Sequence, residues 1–166
     1  MRAGTGSSSR TSPSKEMDDL ADAVLTASRV LVAVAARSLA EEESISLPQY
    51  RALVVLASRG PQRPVDLAEA LGVDPSTATR MCDRLEGKSL ITRRRDEGDR
   101  RVVVLDASAS GRRLVDRVTR RRRNEIGQIV GAVEPRERPN LIRAFNVFGK
   151  AAGEIPEGDW QRSWEL

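Results

Sequence analysis

The chain has 166 residues, of which 39% are hydrophobic, so it can bury the core of one modest domain. It contains no histidine and a single cysteine, which excludes histidine-based catalysis, histidine-containing metal sites and an intrachain disulfide. The net charge of +4 is unevenly distributed, since residues 80–123 hold 15 Lys and Arg against 7 Asp and Glu while the other residues sum to −4.

The N-terminal third of the chain begins with a polar segment and continues as a helix. Residues 1–16 are rich in Ser, Gly and Arg and lack an apolar run, so they are predicted to form a disordered arm and not a secretion signal. The longest apolar stretch, residues 30–36, is far shorter than the ~20 residues of a membrane span, and we expect a cytoplasmic protein. From Leu20 to Ser38, apolar and small residues recur at alternating spacings of four and three, which predicts a long helix with a coiled-coil-type seam.

Two further helices are predicted from their start and stop signals. Ser46 and Gln49 form a capping-box pattern before a helix that should end near Ser58. The short helix of residues 65–71 ends at Gly72, where a left-handed cap favours glycine.

The next helix, predicted over residues 74–87, has one apolar and one polar face. Asp74 is expected to cap it with a side-chain oxygen, and Pro75 suits its first position. The residues expected to face the core are Ala78, Met81, Cys82 and Leu85. The residues expected to face outward are Ser76, Thr77, Thr79, Arg80 and Arg84. Their hydroxyl and guanidinium groups suit phosphates and base edges, although an ordinary amphipathic helix would show the same pattern.

A basic β-hairpin is predicted directly after this helix. Two β-type runs, residues 90–95 and 102–105, are joined by the charged, glycine-containing residues 96–100. The arginines of the hairpin are Arg93, Arg94, Arg95, Arg100 and Arg101. Because these charges repel one another, we expect the fold to place them near phosphates. Asp99 is expected to orient the Arg101 guanidinium by a charge-assisted hydrogen bond; a merely solvated hairpin is the alternative.

Two helices complete the chain. Ser108 should cap a long helix that ends near Val133, and a last helix carries the apolar residues Leu141, Phe145, Phe148 and Ala152. Pro139 leaves the start of that last helix open. The arginines of residues 120–123 either extend a DNA-binding surface or form a solvated face, since four consecutive helical residues point in four directions.

The order helix, turn, helix and hairpin predicts a winged helix-turn-helix. Such a unit places its second helix in the major groove of double-stranded DNA and its hairpin beside a minor groove. The aromatic content of 3% argues against a base-stacking surface for single strands. The sequence therefore predicts a mainly α fold with a small β-wing that binds duplex DNA.

The motifs of this segment resemble those of the multiple antibiotic resistance regulator (MarR) family. They are Ser76-x-x-Thr79, Leu85-Glu86-x-x-x-Leu90-Ile91-x-Arg93, Asp99-x-Arg101 and Ser108-x-x-Gly111. The resemblance implies a homodimer with interlocked first and last helices, a pseudo-palindromic operator and, often, release by a small-molecule effector. By motif position it implies DNA contacts from Ser76, Thr77, Thr79, Arg80 and Arg84 and a wing pair of Asp99 and Arg101.

The chain also departs from the family pattern at two places. Ala107-Ser108 replaces the usual Leu-Thr before the long helix, which keeps the cap but changes the packing. Lys88-Ser89 lies where a glycine is common before Leu90, so the geometry of that turn is open.

These interpretations combine into one domain organisation. We predict a disordered arm over residues 1–16, a MarR-like domain over residues 17–153 and a tail over residues 154–166 that carries two tryptophans. Within the domain, residues 47–106 form the winged-helix DNA-binding lobe, and residues 17–45 and 108–153 form the dimerisation helices.

The predicted function is a sequence-specific transcriptional regulator of double-stranded DNA, expected to be a repressor that a small-molecule ligand releases. Its DNA-binding residues are Ser76, Thr77, Thr79, Arg80, Arg84, Arg94, Arg95, Asp99, Arg100 and Arg101. No catalytic residue, metal or cofactor is expected, and no residue is assigned to an effector. The alternative is a non-specific architectural DNA-binding or partner-binding helical dimer. An enzyme is disfavoured because histidine is absent, the single cysteine is expected to face the core, and the clustered acids at residues 96, 97 and 99 lie among arginines on an exposed hairpin.

Overall fold

A computed structural model of the protein describes residues 13–42, 45–96 and 98–160. Its elements in chain order are α1 (Pro13–Leu39), α2 (Leu47–Arg59), α3 (Pro64–Leu71), α4 (Pro75–Gly87), β1 (Ile91–Arg95), β2 (Val103–Ala107), α5 (Ala109–Gly131), a 3-10 turn (Pro135–Glu137), α6 (Arg138–Ala151) and α7 (Glu157–Trp160). The predicted architecture, mainly α with a two-stranded wing, is confirmed.

The first and last segments differ from expectation. The helix α1 begins at Pro13, so residues 13–16 are helical and not part of the predicted arm; residues 1–12 lie outside the described residues. The last long helix begins at Arg138 with Pro139 in its first turn, where a proline costs no hydrogen bond. The short helix α7 lies inside the predicted tail, and Trp164 lies outside the described residues.

Local capping follows the sequence signals with one exception. The Ser46 hydroxyl accepts from the Gln49 backbone N–H at 3.4 Å, and the Gln49 side chain accepts from the Ser46 N–H at 3.1 Å, which completes the capping box of α2. Gly72 ends α3 in the left-handed region at φ 64°. Asp74 precedes α4, but its side chain makes no capping hydrogen bond, so the prediction of a side-chain oxygen at this cap is wrong.

The core surrounds α2, which packs against α3, α4, α5 and β2. Leu53 and Leu56 of α2 are fully buried together with Leu67 of α3 and Leu85 of α4. Burial of each such leucine stabilises the fold by about 2 kcal/mol relative to exposure. The helix-turn-helix is thus held by the same core that supports the wing.

The wing is a two-stranded antiparallel sheet with a third contact. In its register Ile91 pairs with Ala107 and Arg95 pairs with Val103. On the other side of β2, Leu105 exchanges two backbone hydrogen bonds with Gln62, at 2.9 and 2.8 Å. The turn before α3 is therefore joined to the wing, a contact that no sequence pattern indicated.

The turn between α4 and β1 contains a strained residue and is hydrogen-bonded to the start of α5. Ser89 has a φ of 57°, the left-handed conformation that favours glycine, and this settles the geometry of the turn that the sequence left open. The hydroxyls of Ser108 and Ser110 both donate to the Ser89 carbonyl, at 2.7 and 2.6 Å. A Cβ on Gly111 would lie 2.1 Å from the Leu90 carbonyl oxygen, so only glycine permits this close approach.

Two helices expose apolar side chains. The N-terminal part of α1 exposes Met17, Leu20 and Leu25, and α6 has no buried residue at all. The large apolar side chains that α6 exposes are Ile142, Phe145, Val147 and Phe148. In the described part of the chain, every helix is too short or too polar to cross a lipid bilayer.

Candidate DNA-binding surface

The helix α4 turns its apolar and polar faces as its sequence predicts. Its buried residues are Ala78, Met81, Cys82 and Leu85. Its outward face holds Ser76, Thr79, Arg80 and Arg84, all exposed, and the half-buried Thr77. Thr79 and Arg80 therefore face solvent, as a DNA-binding helix requires.

Two hydrogen bonds within α4 decide what its polar face can offer to a ligand. The Thr79 hydroxyl donates to the Pro75 carbonyl at 2.9 Å, so its remaining capacity is as an acceptor. Arg80 Nε donates to the Ser76 carbonyl at 3.3 Å, which leaves the two terminal nitrogens of the guanidinium as donors. Thr79 is thus suited to a base amino group or a thymine methyl group more than to a phosphate, whereas Arg80 suits phosphate or guanine.

The wing is fastened to α4 by one arginine. Arg93 on β1 forms ion pairs with Asp83 and with Glu86, the latter at 2.7 Å. Two carboxylates of α4 therefore compensate the charge of Arg93. The ion pairs place the start of the wing against the C-terminal half of α4, so the helix and the ribbon adjoin.

Two aspartates shape the wing loop. The Asp96 carboxylate accepts hydrogen bonds from the backbone N–H groups of Gly98 and Asp99, at 2.9 and 3.0 Å, and these bonds lower its pKa. The Asp99 carboxylate accepts from the Arg101 backbone N–H at 2.9 Å, and not from the Arg101 guanidinium as expected. Asp99 therefore orients the chain at Arg101 through the backbone, and the Arg101 side chain is exposed.

The remaining wing arginines stay at the surface. Arg94, Arg95, Arg100 and Arg101 are all exposed. Arg95 at the end of β1 donates to the Arg100 carbonyl at 2.7 Å, which links β1 to the wing loop. With the outward residues of α4, these four arginines form what we call the α4–wing surface.

The arginines of α5 do not extend this surface as one cationic face. Arg117 and Arg121 form ion pairs with Glu42 at 3.2 and 3.0 Å, and Arg121 also pairs with Glu41 at 2.7 Å. The two hydrogen-bonded arginines lower the pKa of the Glu42 carboxyl, Arg117 most, against the raising effect of burial. Near the start of α5, Arg112 pairs with Asp106 at 2.8 Å. The charge excess of residues 80–123 is thus partly compensated inside the lobe.

The run of residues 120–123 divides as helical geometry requires. Arg120 and Arg123 are exposed, Arg121 is paired with the α1–α2 loop, and Arg122 is half-buried. Each therefore has a different environment, and the run is not a single patch.

The remaining candidates for reactive chemistry are the single cysteine and any cluster of metal-binding side chains. Cys82 is 2% exposed, and burial raises the pKa of its thiol, so it faces the core as expected. Among the described residues, no three acidic or cysteine side chains are grouped so that they could hold a metal ion.

A cleft that the sequence did not nominate lies between α2 and α5. Its volume is about 260 Å³. It is lined by Tyr50, Val54, Thr119, Arg122, Arg123, Ile126 and Glu157. No single stretch of sequence carries a signal for it, because the lining comes from three helices that are far apart in the chain.

Comparisons with known proteins agree with this geometry. The sequence profile of the MarR family matches residues 45–103. The transcriptional repressor MdtR of Bacillus subtilis is 37% identical over 71 residues, which are 43% of this chain and 46% of MdtR. The chain thus matches about half the length of that relative.

Two solved structures extend the similarity to most of the chain. RV1404 from Mycobacterium tuberculosis is 43% identical with a TM-score of 0.79, over 90% of this chain and 99% of that protein. A MarR family protein from Bacillus stearothermophilus has a TM-score of 0.77 at 21% identity, over 87% of this chain and 100% of that protein, and so shares the fold.

Proposed function

Because the chain belongs to the MarR family, we propose that it is a cytoplasmic transcriptional regulator that binds specific sequences of double-stranded DNA. The observation that carries this proposal is the α4–wing surface. It combines an exposed row of hydroxyl and guanidinium groups on a helix with an adjoining arginine-rich ribbon. A helix fits the major groove and a ribbon beside it reaches a minor groove, so the two elements match adjacent grooves of one duplex.

The proposed contacts divide between sequence recognition and positioning. Arg80 and Arg84 suit bidentate contacts to guanine or phosphate, and Thr79 offers an acceptor to a base edge. Ser76 and Thr77 at the start of α4 favour phosphate, because the positive end of the helix dipole lies there and both side chains carry a hydroxyl group. The wing guanidinium groups of Arg94, Arg95, Arg100 and Arg101 would bind phosphates or enter the minor groove. Asp99 acts through the wing loop that it shapes.

The proposed active form is a homodimer. The exposed apolar side chains of α1 and α6 would each lose contact with water if two copies of the chain interlocked through these helices. A two-fold dimer presents two α4 helices and therefore reads a pseudo-palindromic operator with half-sites about one helical turn apart. The relative MdtR is named a repressor, and repression is the direction that we propose here.

The alternative is an architectural DNA-binding protein without sequence preference, or a helical dimer that binds a partner. The wing arginines alone would serve either function, since phosphate contacts carry no sequence information. The regulator requires discrimination by α4, and this difference is measurable.

The decisive experiment selects duplexes from a random pool with the purified full chain and measures affinity for the enriched site and for a scrambled version of it. We expect enrichment of a two-fold symmetric site, bound at least about a thousandfold more tightly than scrambled duplex. Affinity for both should fall steeply with salt, because binding releases counterions from phosphates. Equal affinities for the two duplexes would contradict the regulator function and support the architectural alternative.

A further inference from the structure

The helix α4 carries two carboxylates beside the residues proposed to bind DNA. Asp83 and Glu86 are both exposed, and in the sequence of α4 they equal the arginines in number. Residues three and four apart are neighbours on a helix, so Asp83 lies one turn beyond Thr79 and Arg80 on the same side. An uncompensated carboxylate in that place would lie within a Debye length of about 10 Å of a bound duplex and would repel its phosphates.

Arg93 of the wing compensates both carboxylates at once. Its Nε donates to Glu86 at 2.7 Å, and its Nη2 pairs with Asp83. Arg80 on α4 instead turns its Nε to the Ser76 carbonyl at 3.3 Å, towards the start of the helix. In the described part of the chain, the partner of both carboxylates is thus a side chain of the wing.

The backbone at Arg93 is itself held by the core of the lobe. In the register of the wing, Arg93 pairs with Leu105, which is fully buried and exchanges two backbone hydrogen bonds with Gln62. The side chain of Arg93 is 30% exposed, against 58% for Asp83 and 43% for Glu86. Ion pairs with this exposure contribute little to stability, so their main consequences are for position and charge.

Both consequences bear on how DNA is bound. A guanidinium group that reaches a phosphate adds affinity for any sequence, because phosphate contacts carry no sequence information. The two carboxylates occupy Arg93 and so keep it from such a contact. The same ion pairs hold the start of the wing beside α4, so the wing arginines and the base-reading side chains of α4 can meet one duplex together.

We propose that Asp83 and Glu86 are specificity-determining residues that do not touch DNA. They keep Arg93 from phosphate and hold the wing in one position beside α4, which lowers affinity for random duplex and preserves affinity for the operator. Arg93 is accordingly a positioning residue and not a phosphate contact. This inference rests on the proposed function, because it describes how the α4–wing surface discriminates between duplexes.

The test measures dissociation constants for operator and scrambled duplex in two variants of the full chain. The double variant Asp83→Asn, Glu86→Gln releases Arg93 and should bind scrambled duplex about tenfold more tightly. Arg93→Met exposes the two carboxylates and should bind scrambled duplex about twofold more weakly. In both variants the preference for operator over scrambled duplex should fall about five- to tenfold, because the wing is no longer held. A general effect of charge would leave this preference unchanged.

A cycle of variants on scrambled duplex locates Arg93 in the complex. In the background Asp83→Asn, Glu86→Gln, the further substitution Arg93→Met should cost about tenfold in affinity and reduce the salt slope by about one. The same substitution in wild type should cost only about twofold, because Arg93 makes no phosphate contact there. Equal losses in the two backgrounds would show that Arg93 already binds phosphate in wild type, and would overturn the proposal.

Two controls separate position from charge and from folding. The double variant Glu69→Gln, Asp74→Asn removes two other exposed carboxylates of the lobe, neither of which pairs with Arg93 among the described residues. It should raise affinity for both duplexes alike. Arg93→Lys keeps the charge but lacks the planar fork that binds two carboxylates, so it should lower the preference about threefold with scrambled binding unchanged. Thermal unfolding should be close to wild type in every variant, since the ion pairs are exposed.

A wild-type preference for operator in Arg93→Met and Arg93→Lys would overturn the proposal, as would one in the Asp83, Glu86 double variant. Selection of a different base by that double variant would also overturn it, because Asp83 would then contact a base directly. If wild type bound both duplexes equally, the regulator function would be rejected, and the cycle on scrambled duplex would still decide whether the carboxylates keep Arg93 from phosphate.

Discussion

The arginines of the wing and those of α5 lie in different electrostatic environments. In the wing, Arg94 and Arg101 lie at the surface of a loop whose aspartates bond to backbone N–H groups. On α5, Arg117 and Arg121 lie against the α1–α2 loop, where Glu42 binds both. Only the first pair belongs to the α4–wing surface.

The difference teaches that a count of charges along the chain does not give the surface potential. In the wing, the Asp96 and Asp99 carboxylates accept hydrogen bonds from backbone N–H groups and thereby form the turn. The long helix α5 packs against α1, so its arginines meet the carboxylates of the α1–α2 loop. Phosphate binding needs the former arrangement, and stability of the lobe gains from the latter.

The contact between Gly111 at the start of α5 and Leu90 just before the wing is where a substitution should have the largest effect. We expect Gly111→Ala to lower the free energy of unfolding by about 3 kcal/mol, because the added Cβ would meet the Leu90 carbonyl at 2.1 Å and the turn must move. Denaturant unfolding of the purified variant measures this loss. In the control Gly127→Ala, on the same helix with open space around the site, stability should rise by up to about 1 kcal/mol. A Gly111→Ala variant as stable as Gly127→Ala would contradict the close approach.

The ion pairs of Arg117 and Arg121 on α5 depend on Glu42. Its side chain is 12% exposed and accepts from both arginines, so Glu42→Gln should cost about 2 kcal/mol of unfolding free energy near pH 7. The pKa of Glu42 in the folded protein lies below the usual 4.5. The stabilisation is therefore complete above pH 4.5 and is lost as the pH falls through the lowered pKa.

The measurement is urea unfolding of wild type and variant across this pH range. Glu41→Gln is the matched control, because Glu41 is mostly exposed and, among the described residues, pairs only with Arg121. Loss of this ion pair should lower the free energy of unfolding by less than about 0.5 kcal/mol. A stability difference between wild type and Glu42→Gln that persists unchanged at pH 3 would show that the charge pairing is not its cause.

The smallest expected change comes from removing one arginine of the wing. We expect Arg101→Ala to weaken binding to operator and scrambled DNA by about five- to tenfold, and to reduce the salt slope by about one, with unchanged thermal stability. Fluorescence anisotropy at several salt concentrations measures both quantities. Arg120→Ala, which removes an equally exposed arginine from α5, should leave DNA affinity unchanged. Equal losses from the two variants would place α5 in the DNA-binding surface and remove the distinction drawn above.

Much of the lobe could be predicted because its signals are local. The capping box at Ser46, the left-handed Gly72 and the buried face of α4 each depend on residues within one or two helical turns. The outward set of α4 follows from that buried face by helical periodicity. The local sequence also identified the arginines of the wing, but it did not indicate that Arg93 forms ion pairs with α4.

The contacts missed by the sequence are those between distant segments. Arg93 pairs with a helix ten residues earlier, Leu105 bonds to Gln62, and the cleft joins α2, α5 and α7. The Asp99–Arg101 contact is local, yet the backbone N–H was the donor and the guanidinium was not. A tight loop can be closed by bonds to its own backbone, whereas the guanidinium lies several bonds further along the side chain.

By itself, the sequence determined which segments are helices, which face of each is apolar, and that a basic hairpin follows a helix-turn-helix. These properties are encoded at a spacing of a few residues, where backbone geometry fixes the neighbours. Only the tertiary structure decided which arginines meet carboxylates, why Gly111 admits no side chain, and that α2, α5 and α7 line one cleft. Coulombic and steric interactions act through space, and the folded chain alone brings those groups together.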